Sequence, residues 1–139
     1  MKALVVDDET VIRTALVANI KAVGYERIDT AGSGEEAVKL ALQARYDLVT
    51  LDLHLPGVGG LDIIRTLQGV APQSVIAVIT GHPNWAERKE IEAADVVIPK
   101  PFRSEQIRSL AQLTREIVAR YAAIRELGEL HRYRYTGRR

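Results

Sequence analysis

Four short runs of apolar, mostly β-branched residues punctuate this chain, and each ends on a polar side chain. Ala3-Leu4-Val5-Val6 runs into Asp7-Asp8, and Asp47-Leu48-Val49-Thr50-Leu51 runs into Asp52. Val75-Ile76-Ala77-Val78-Ile79 stops at Thr80, and Val96-Val97-Ile98-Pro99 stops at Lys100. Short continuous apolar runs read as strands buried on both faces, as in a parallel sheet. Between them the apolar positions take a helical period. Val11, Ile12, Ala15, Leu16, Val17 and Ile20 predict a first helix that stops at Gly24. Ile28-Asp29-Thr30-Ala31 reads as a weaker strand suited to a sheet edge. Ser33 followed by Glu36 fits a capping box for a second helix carrying Ala37, Leu40 and Ala41. Pro56-Gly57-Val58-Gly59-Gly60 predicts a turn-rich loop before a short helix around Leu61–Leu67. Gly81-His82-Pro83-Asn84 leads into a fourth helix through about Ala93, and Ser104 is the expected N-cap of the last one.

Five strand–helix units predict an α/β protein, a flavodoxin-like (βα)5 fold. It would hold a parallel five-stranded sheet in the order 2-1-3-4-5, with helices on both faces. In that order strands 1 and 3 are neighbours, so Asp7, Asp8 and Asp52 would meet at the C-terminal edge of the sheet. Ligands bind at that edge in open α/β sheets. The last helix reads longer than the domain needs, because Ile107, Leu110, Leu113, Ile117, Tyr121, Ile124 and Leu127 keep a spacing of three or four. The division is a domain over residues 1–118 and a helical extension with a basic tail over residues 119–139, ending His131-Arg132-Tyr133-Arg134-Tyr135-Thr136-Gly137-Arg138-Arg139.

Composition narrows the function classes. The chain has 139 residues, 47% hydrophobic and 27% charged, which suits one soluble globular domain. A net charge of +1 argues against a dominant electrostatic partner, so nucleic acid is not expected for this chain alone. The basic tail reads as a solvated terminus. The absence of cysteine excludes disulfides, zinc thiolates and thiol nucleophiles. No run approaches the roughly 18 apolar residues of a membrane span, and the start is too short and too soon acidic for a signal peptide. A cytoplasmic protein without membrane contact is the expectation.

Three carboxylates, one hydroxyl and one lysine would thus converge. Carboxylates packed together repel and raise a pKa, and a divalent cation relieves that repulsion. All-oxygen ligation suits Mg²⁺, or Mn²⁺, over zinc or copper. Three carboxylates, one Mg²⁺ and Lys100 sum to zero charge, so a phosphoryl group could enter without meeting a negative wall. A cation, a lysine and a hydroxyl donor are the parts phosphoryl transfer needs. Asp52, on the middle strand of the group, is the natural carboxylate nucleophile.

Asp7-Asp8, Asp52, Thr80 and Lys100-Pro101-Phe102 closely resemble the receiver domain of bacterial two-component response regulators. Asp52-Leu53-His54-Leu55-Pro56-Gly57 with Gly60-Leu61, and the separation of Asp52 from Thr80, add to the match, which covers residues 1–118. The resemblance implies that Asp52 is the phosphoacceptor, taking a phosphoryl group from a histidine kinase or a histidine phosphotransfer protein. It implies that Asp8 and Asp52 ligate Mg²⁺ directly, Asp7 through water, and the backbone carbonyl of His54 alongside them. Lys100 would pair with the phosphoryl oxygens, Thr80 would swing its hydroxyl onto them, and the Lys100–Pro101 bond would be cis. The chain would then control a downstream protein target or an output domain, by a population shift on the strand 4 to helix 5 face.

Two departures bear on output. Val97 stands where the family usually has an aromatic that moves inward with the threonine, and a valine cannot make that swing. Leu55, Val58 and Gly59 stand where methionines and an aspartate are common. A degenerate receiver, acting as a phosphorylation-independent interaction module, is therefore one alternative. Another is a metal-dependent phosphohydrolase with Asp52 as turnover nucleophile. That enzyme class needs an acid two residues on, where this chain has His54. His54 and His82 read as loop side chains, Gly32-Ser33-Gly34 as a turn, and Trp85 as a packing residue. The extended last helix suits a homodimer, or a linker to an output domain not contained in this sequence.

Overall fold

In the computed structural model, which describes residues 1–57, 60–81, 84 and 89–128, five strands form one parallel sheet in the order β2-β1-β3-β4-β5. The elements follow as β1 (Lys2–Val6), α1 (Thr10–Ala22), β2 (Arg27–Ala31), α2 (Gly34–Gln43), β3 (Leu48–Leu51), α3 (Gly60–Val70), β4 (Val75–Thr80), a 3-10 helix (Lys89–Ala93), β5 (Val96–Pro99) and α4 (Ser104–Arg125). The expected topology is therefore the observed one.

The alternation of side chains along each strand splits the core into two layers. Leu4, Val6, Val49, Leu51, Ile76 and Val78 face one side, with Ile63, Ile64 and Leu67 of α3 and Ala37 and Ala41 of α2. Ala3, Val5, Leu48, Ala77 and Ile79 face the other, with Leu16 and Ile20 of α1 and Ile107 and Ala111 of α4. Both faces of β1, β3 and β4 are thus covered, which is why those runs are apolar without alternation. Arg27–Ala31 lies at the edge, as its mixed composition requires.

Register carries each strand's last residue to one edge. Val6 pairs with Leu51 and Leu51 with Val78, so Asp7 and Asp52 leave their strands at matched heights. Asp52 N–H donates to the Val6 carbonyl at 3.0 Å, extending the ladder one step towards the site. Thr80 pairs with Pro99, and Lys100 N–H donates to the Thr80 carbonyl at 2.8 Å.

Helix ends follow local chemistry. Gly24 takes φ +94 just after α1, where its N–H returns to the Lys21 carbonyl at 2.9 Å, so the expected stop is realised. Ser33 caps α2, its hydroxyl accepting from Glu36 N–H at 3.2 Å. α3 extends beyond the expected span at both ends. Ser104 is the first residue of α4 and not its cap. Arg103 holds the cap position, and its N–H donates to Gln106 Oε1 at 2.8 Å. The Ser104 hydroxyl is left to accept a long bond from Asn19 of α1 at 3.4 Å. Of the expected fourth helix, the described part, Lys89–Ala93, is a 3-10 turn. His82, Trp85, Val58, Gly59 and the tail from residue 129 lie outside the described residues.

α4 spans 22 residues, about 33 Å at the rise of an α-helix, and crosses residue 118 without a break. Its first half is anchored by buried Ile107, Ala111 and Thr114, and by the Tyr25 hydroxyl, which donates to the Ala111 carbonyl at 2.9 Å. Its last turns reach the N-terminal edge of the sheet. There Val118, Tyr121 and Arg125 wall a cavity of about 350 Å³ against Tyr46 and Ser74. Leu113, Ile124 and Leu127 point to solvent. Among the described residues no helix is long and apolar enough to cross a membrane.

Candidate functional site

The C-terminal edge of the sheet gathers the acids where the apolar runs predicted. A carboxylate oxygen from each of Asp7, Asp8 and Asp52 lies within 4.8 Å of the other two. Asp7 is 1% exposed and Asp52 3%, whereas Asp8 faces solvent. The two buried acids are there because β1 and β3 run straight into them; Asp8, one residue further from β1, faces solvent.

Lys100 supplies the counter-charge from β5. Its Nζ lies 2.8 Å from Asp7 Oδ2, 3.3 Å from Asp52 Oδ2 and 4.0 Å from Glu9 Oε1. Asp7 also accepts at Oδ1 from Glu9 N–H, at 2.9 Å. Asp52 accepts at Oδ1 from His54 N–H, at 3.2 Å. Both oxygens of the two buried acids are therefore engaged. Asp8 accepts no hydrogen bond among the described residues. Its carboxylate is the one left for an incoming cation. The all-oxygen donor set, one carboxylate of it open to solvent, fits a hard divalent ion.

Burial is the main force on the Asp52 carboxyl and pushes it above its ordinary range. The His54 N–H and the Lys100 ammonium pull it back, while the charge of Asp7 adds to the rise. The expected increase from crowded carboxylates is present, but desolvation outweighs repulsion as its cause. Burial works in the opposite sense on Lys100. The hydrogen bond to Asp7 and the charges of Asp52 and Asp7 outweigh it, holding the ammonium above its ordinary value.

The remaining expected residues take their places around this cluster. Thr80 is buried at the end of β4, one strand over from Asp52. The His54 side chain is exposed, with its N–H turned to Asp52. Lys100–Pro101 is cis. Val97 packs, half-buried, into the core layer beneath α2 and α3, beside Val78. Asp7 and Asp8 do not cap α1: that position belongs to Glu9, whose side chain makes no capping bond.

Two residues at the site escaped the sequence reading. Glu9 reaches the edge of the lysine's field, and Arg13 of α1 donates Nη1 to the Asp7 carbonyl at 2.7 Å. No spacing marked either residue; the rule that a long side chain one turn into a helix leans back to its N-terminus applies to Arg13 alone.

The family profile described as response regulator receiver domain matches residues 3–112. The two-component response regulator PhoP of Pseudomonas aeruginosa is 35% identical over 109 residues, which cover 77% of this chain and 48% of that protein. The chain spans about half the length of the curated relatives it matches. Among solved structures, response regulator TrrA of Thermotoga maritima, in complex with Mg²⁺ and BeF, superposes with a TM-score of 0.74 at 33% identity, covering 81% of this chain and 97% of that one. A response regulator protein from Burkholderia pseudomallei, with a phosphorylated aspartic acid, calcium and citrate, gives 0.71 at 32% identity, covering 88% and 73%.

Proposed function

We propose, from the premise that this chain belongs to the response regulator receiver domain family, that it is a phosphorylation switch with Asp52 as phosphoacceptor. The observation that carries the reading is the buried Asp52 carboxylate, set beside two further acids and facing the Lys100 ammonium. The phosphoryl group would come from the phosphohistidine of a kinase or phosphotransfer protein in the cytoplasm. The phosphorus–nitrogen bond breaks as Asp52 oxygen forms the new phosphorus–oxygen bond, and the departing imidazole takes a proton.

The chain's own residues prepare that exchange. Lys100 and the His54 N–H hold Asp52 as a carboxylate against its burial, leaving a lone pair for attack. Once oxygens of the phosphoryl group crowd the same space, the Lys100 ammonium has a better partner than Asp7, and the hydroxyl of Thr80, at the end of the neighbouring strand, would join it. Asp8, Asp52 and the His54 carbonyl would hold Mg²⁺, or Mn²⁺. Asp7 would act through water, as the resemblance to the receiver family implies. Bound there, the cation supplies the positive charge that phosphoryl oxygens need. The reaction is a single self-modification followed by hydrolysis, without turnover of a separate substrate.

Output runs through a partner protein or a further domain, with residues 1–118 as receiver and residues 119–139 as extension. Half-buried Val97 cannot swing as an aromatic would, which favours a readout that does not use it. It is also the observation behind the second reading, a receiver whose partner binding ignores phosphorylation. Solvent-facing Leu113 and Ile124 of α4, with Leu127 just beyond its end, support a homodimer through this helix.

The test is intact-mass measurement after incubation with Mg²⁺ and acetyl phosphate, for the wild type and Asp52→Asn. One phosphoryl group gained by the wild type alone is the expected result. Equal labelling of the variant, or no labelling of a wild type that binds Mg²⁺, would count against Asp52 as acceptor.

A further inference from the structure

We infer that Arg13 is a positioning residue for the acidic cluster, acting on the Asp7–Asp8 peptide and not on a carboxylate; the inference rests on the reading of Asp52 as phosphoacceptor. Arg13 sits one turn into α1. Its Nη1 donates to the Asp7 main-chain carbonyl at 2.7 Å, and its Nη2 to Thr10 Oγ1 at 3.2 Å. The same guanidinium lies against the loop that follows β2, where a β-carbon at Gly32 would stand 3.5 Å from Nη1. One side chain thus joins the β1–α1 loop, the first turn of α1 and the β2–α2 loop.

Asp7 is held at every polar atom. Its N–H donates to the Ala31 carbonyl at 3.1 Å, its carboxylate accepts from Glu9 N–H and Lys100, and its carbonyl accepts from Arg13. Asp8 has no such support among the described residues. Its carboxylate is aimed only by the peptide from which it hangs, and the oxygen of that peptide is the atom Arg13 grips. A charge-assisted hydrogen bond of this length is a firm anchor.

Arg13 has two effects of opposite sign on a cation beside Asp8. As a positive charge it would weaken binding; as an anchor that fixes Asp8 it would strengthen it. Arg13 is half-buried, with its Nη2 on the exposed side, so water and salt screen part of its charge. The anchor acts through a covalent bond and a short hydrogen bond, which screening does not touch. Anchoring therefore prevails.

The experiment is calorimetric Mg²⁺ titration of the full chain for the wild type, Arg13→Gln, Arg13→Lys and Thr10→Ala, with melting temperatures in EDTA and acetyl phosphate labelling rates at saturating Mg²⁺. The expected result is a Mg²⁺ Kd about tenfold higher in Arg13→Gln, as for loss of other outer supports of metal ligands. Arg13→Lys should match it, because an ammonium lacks the fork that spans two acceptors. Thr10→Ala, which loses only the Nη2 tether, should move in the same direction by less. Labelling rates at saturating Mg²⁺ should stay within about twofold, because no reacting atom is touched. Unchanged or tighter Mg²⁺ binding in Arg13→Gln would overturn the inference, as would full rescue by Arg13→Lys. A wild type that neither binds Mg²⁺ nor accepts phosphoryl would instead overturn the reading of Asp52.

Discussion

Replacing Lys100 by Met leaves two buried carboxylates without their counter-charge, and the structure sets the scale of the damage. At 2.8 Å and 3.3 Å the ammonium attracts Asp7 by about 6 kcal/mol and Asp52 by about 5 kcal/mol at an effective dielectric near 20. Most of that offsets the cost of burying the charges. Removing one partner of a buried pair typically costs about 3–5 kcal/mol, because the survivor stays buried and charged. Lys100 is 15% exposed and Asp52 can take up a proton, so about 2–4 kcal/mol is expected at neutral pH. For a chain of this size that lowers the melting temperature by roughly 6–15 °C. The deficit should shrink as pH falls through the carboxylate range, since neutral acids no longer need the ammonium. Mg²⁺ should then stabilise Lys100→Met more than wild type, because the cation would supply the missing charge. Thermal or urea unfolding in EDTA and in millimolar Mg²⁺ measures both effects. A variant as stable as wild type in EDTA, or an equal gain from Mg²⁺ in both proteins, would refute the account of Lys100 as counter-ion to a cation-binding acid cluster.

Asp8→Asn should raise the metal-free melting temperature slightly, by about 1–3 °C, as repulsion at an exposed position is weak. It should also remove most of the stabilisation by Mg²⁺, and calorimetry in both conditions checks the pair. Tyr46→Phe deletes the hydroxyl that donates to Asp29 and, chiefly through that bond, lowers the Asp29 carboxyl. A loss of about 1 kcal/mol is expected at neutral pH. A depressed carboxyl contributes stability above its ordinary value and loses it as pH falls, while burial pushes the Tyr46 hydroxyl up to about 12. The difference from wild type should therefore narrow in acid, and a constant difference in urea midpoint across pH would count against the pairing. Removing the residues after 118 keeps Ile107, Ala111 and Thr114, so the fold and phosphorylation should survive while the light-scattering mass falls to that of a monomer. A wild-type chain already at monomer mass would reject the α4 dimer.

Strand identity was legible because β1, β3 and β4 are buried on both faces, and such strands are almost wholly apolar, with Thr50 the buried exception within β3. Asp7, Asp52, Thr80 and Lys100 stood out for the same reason: each ends a run that is otherwise nearly all apolar. The end of α4 was readable from periodicity, yet its start moved by one residue because Gln106, a side chain two positions further on, competes with Ser104 for the cap. Glu9 and Arg13 were not legible, since nothing in their spacing distinguishes them from ordinary polar positions of a first helical turn.

The sequence by itself determined which residues must be buried, where each strand ends and which chemistry stands at those ends, because burial tolerates so few residue types. Only the tertiary structure decided how that chemistry is used. Register brought Lys100 to two acids nearly fifty or more residues away, burial rather than repulsion emerged as the main force on Asp52, and the Asp8 carboxylate was left open. Those outcomes depend on distance and solvent access, which a linear order of residues does not contain.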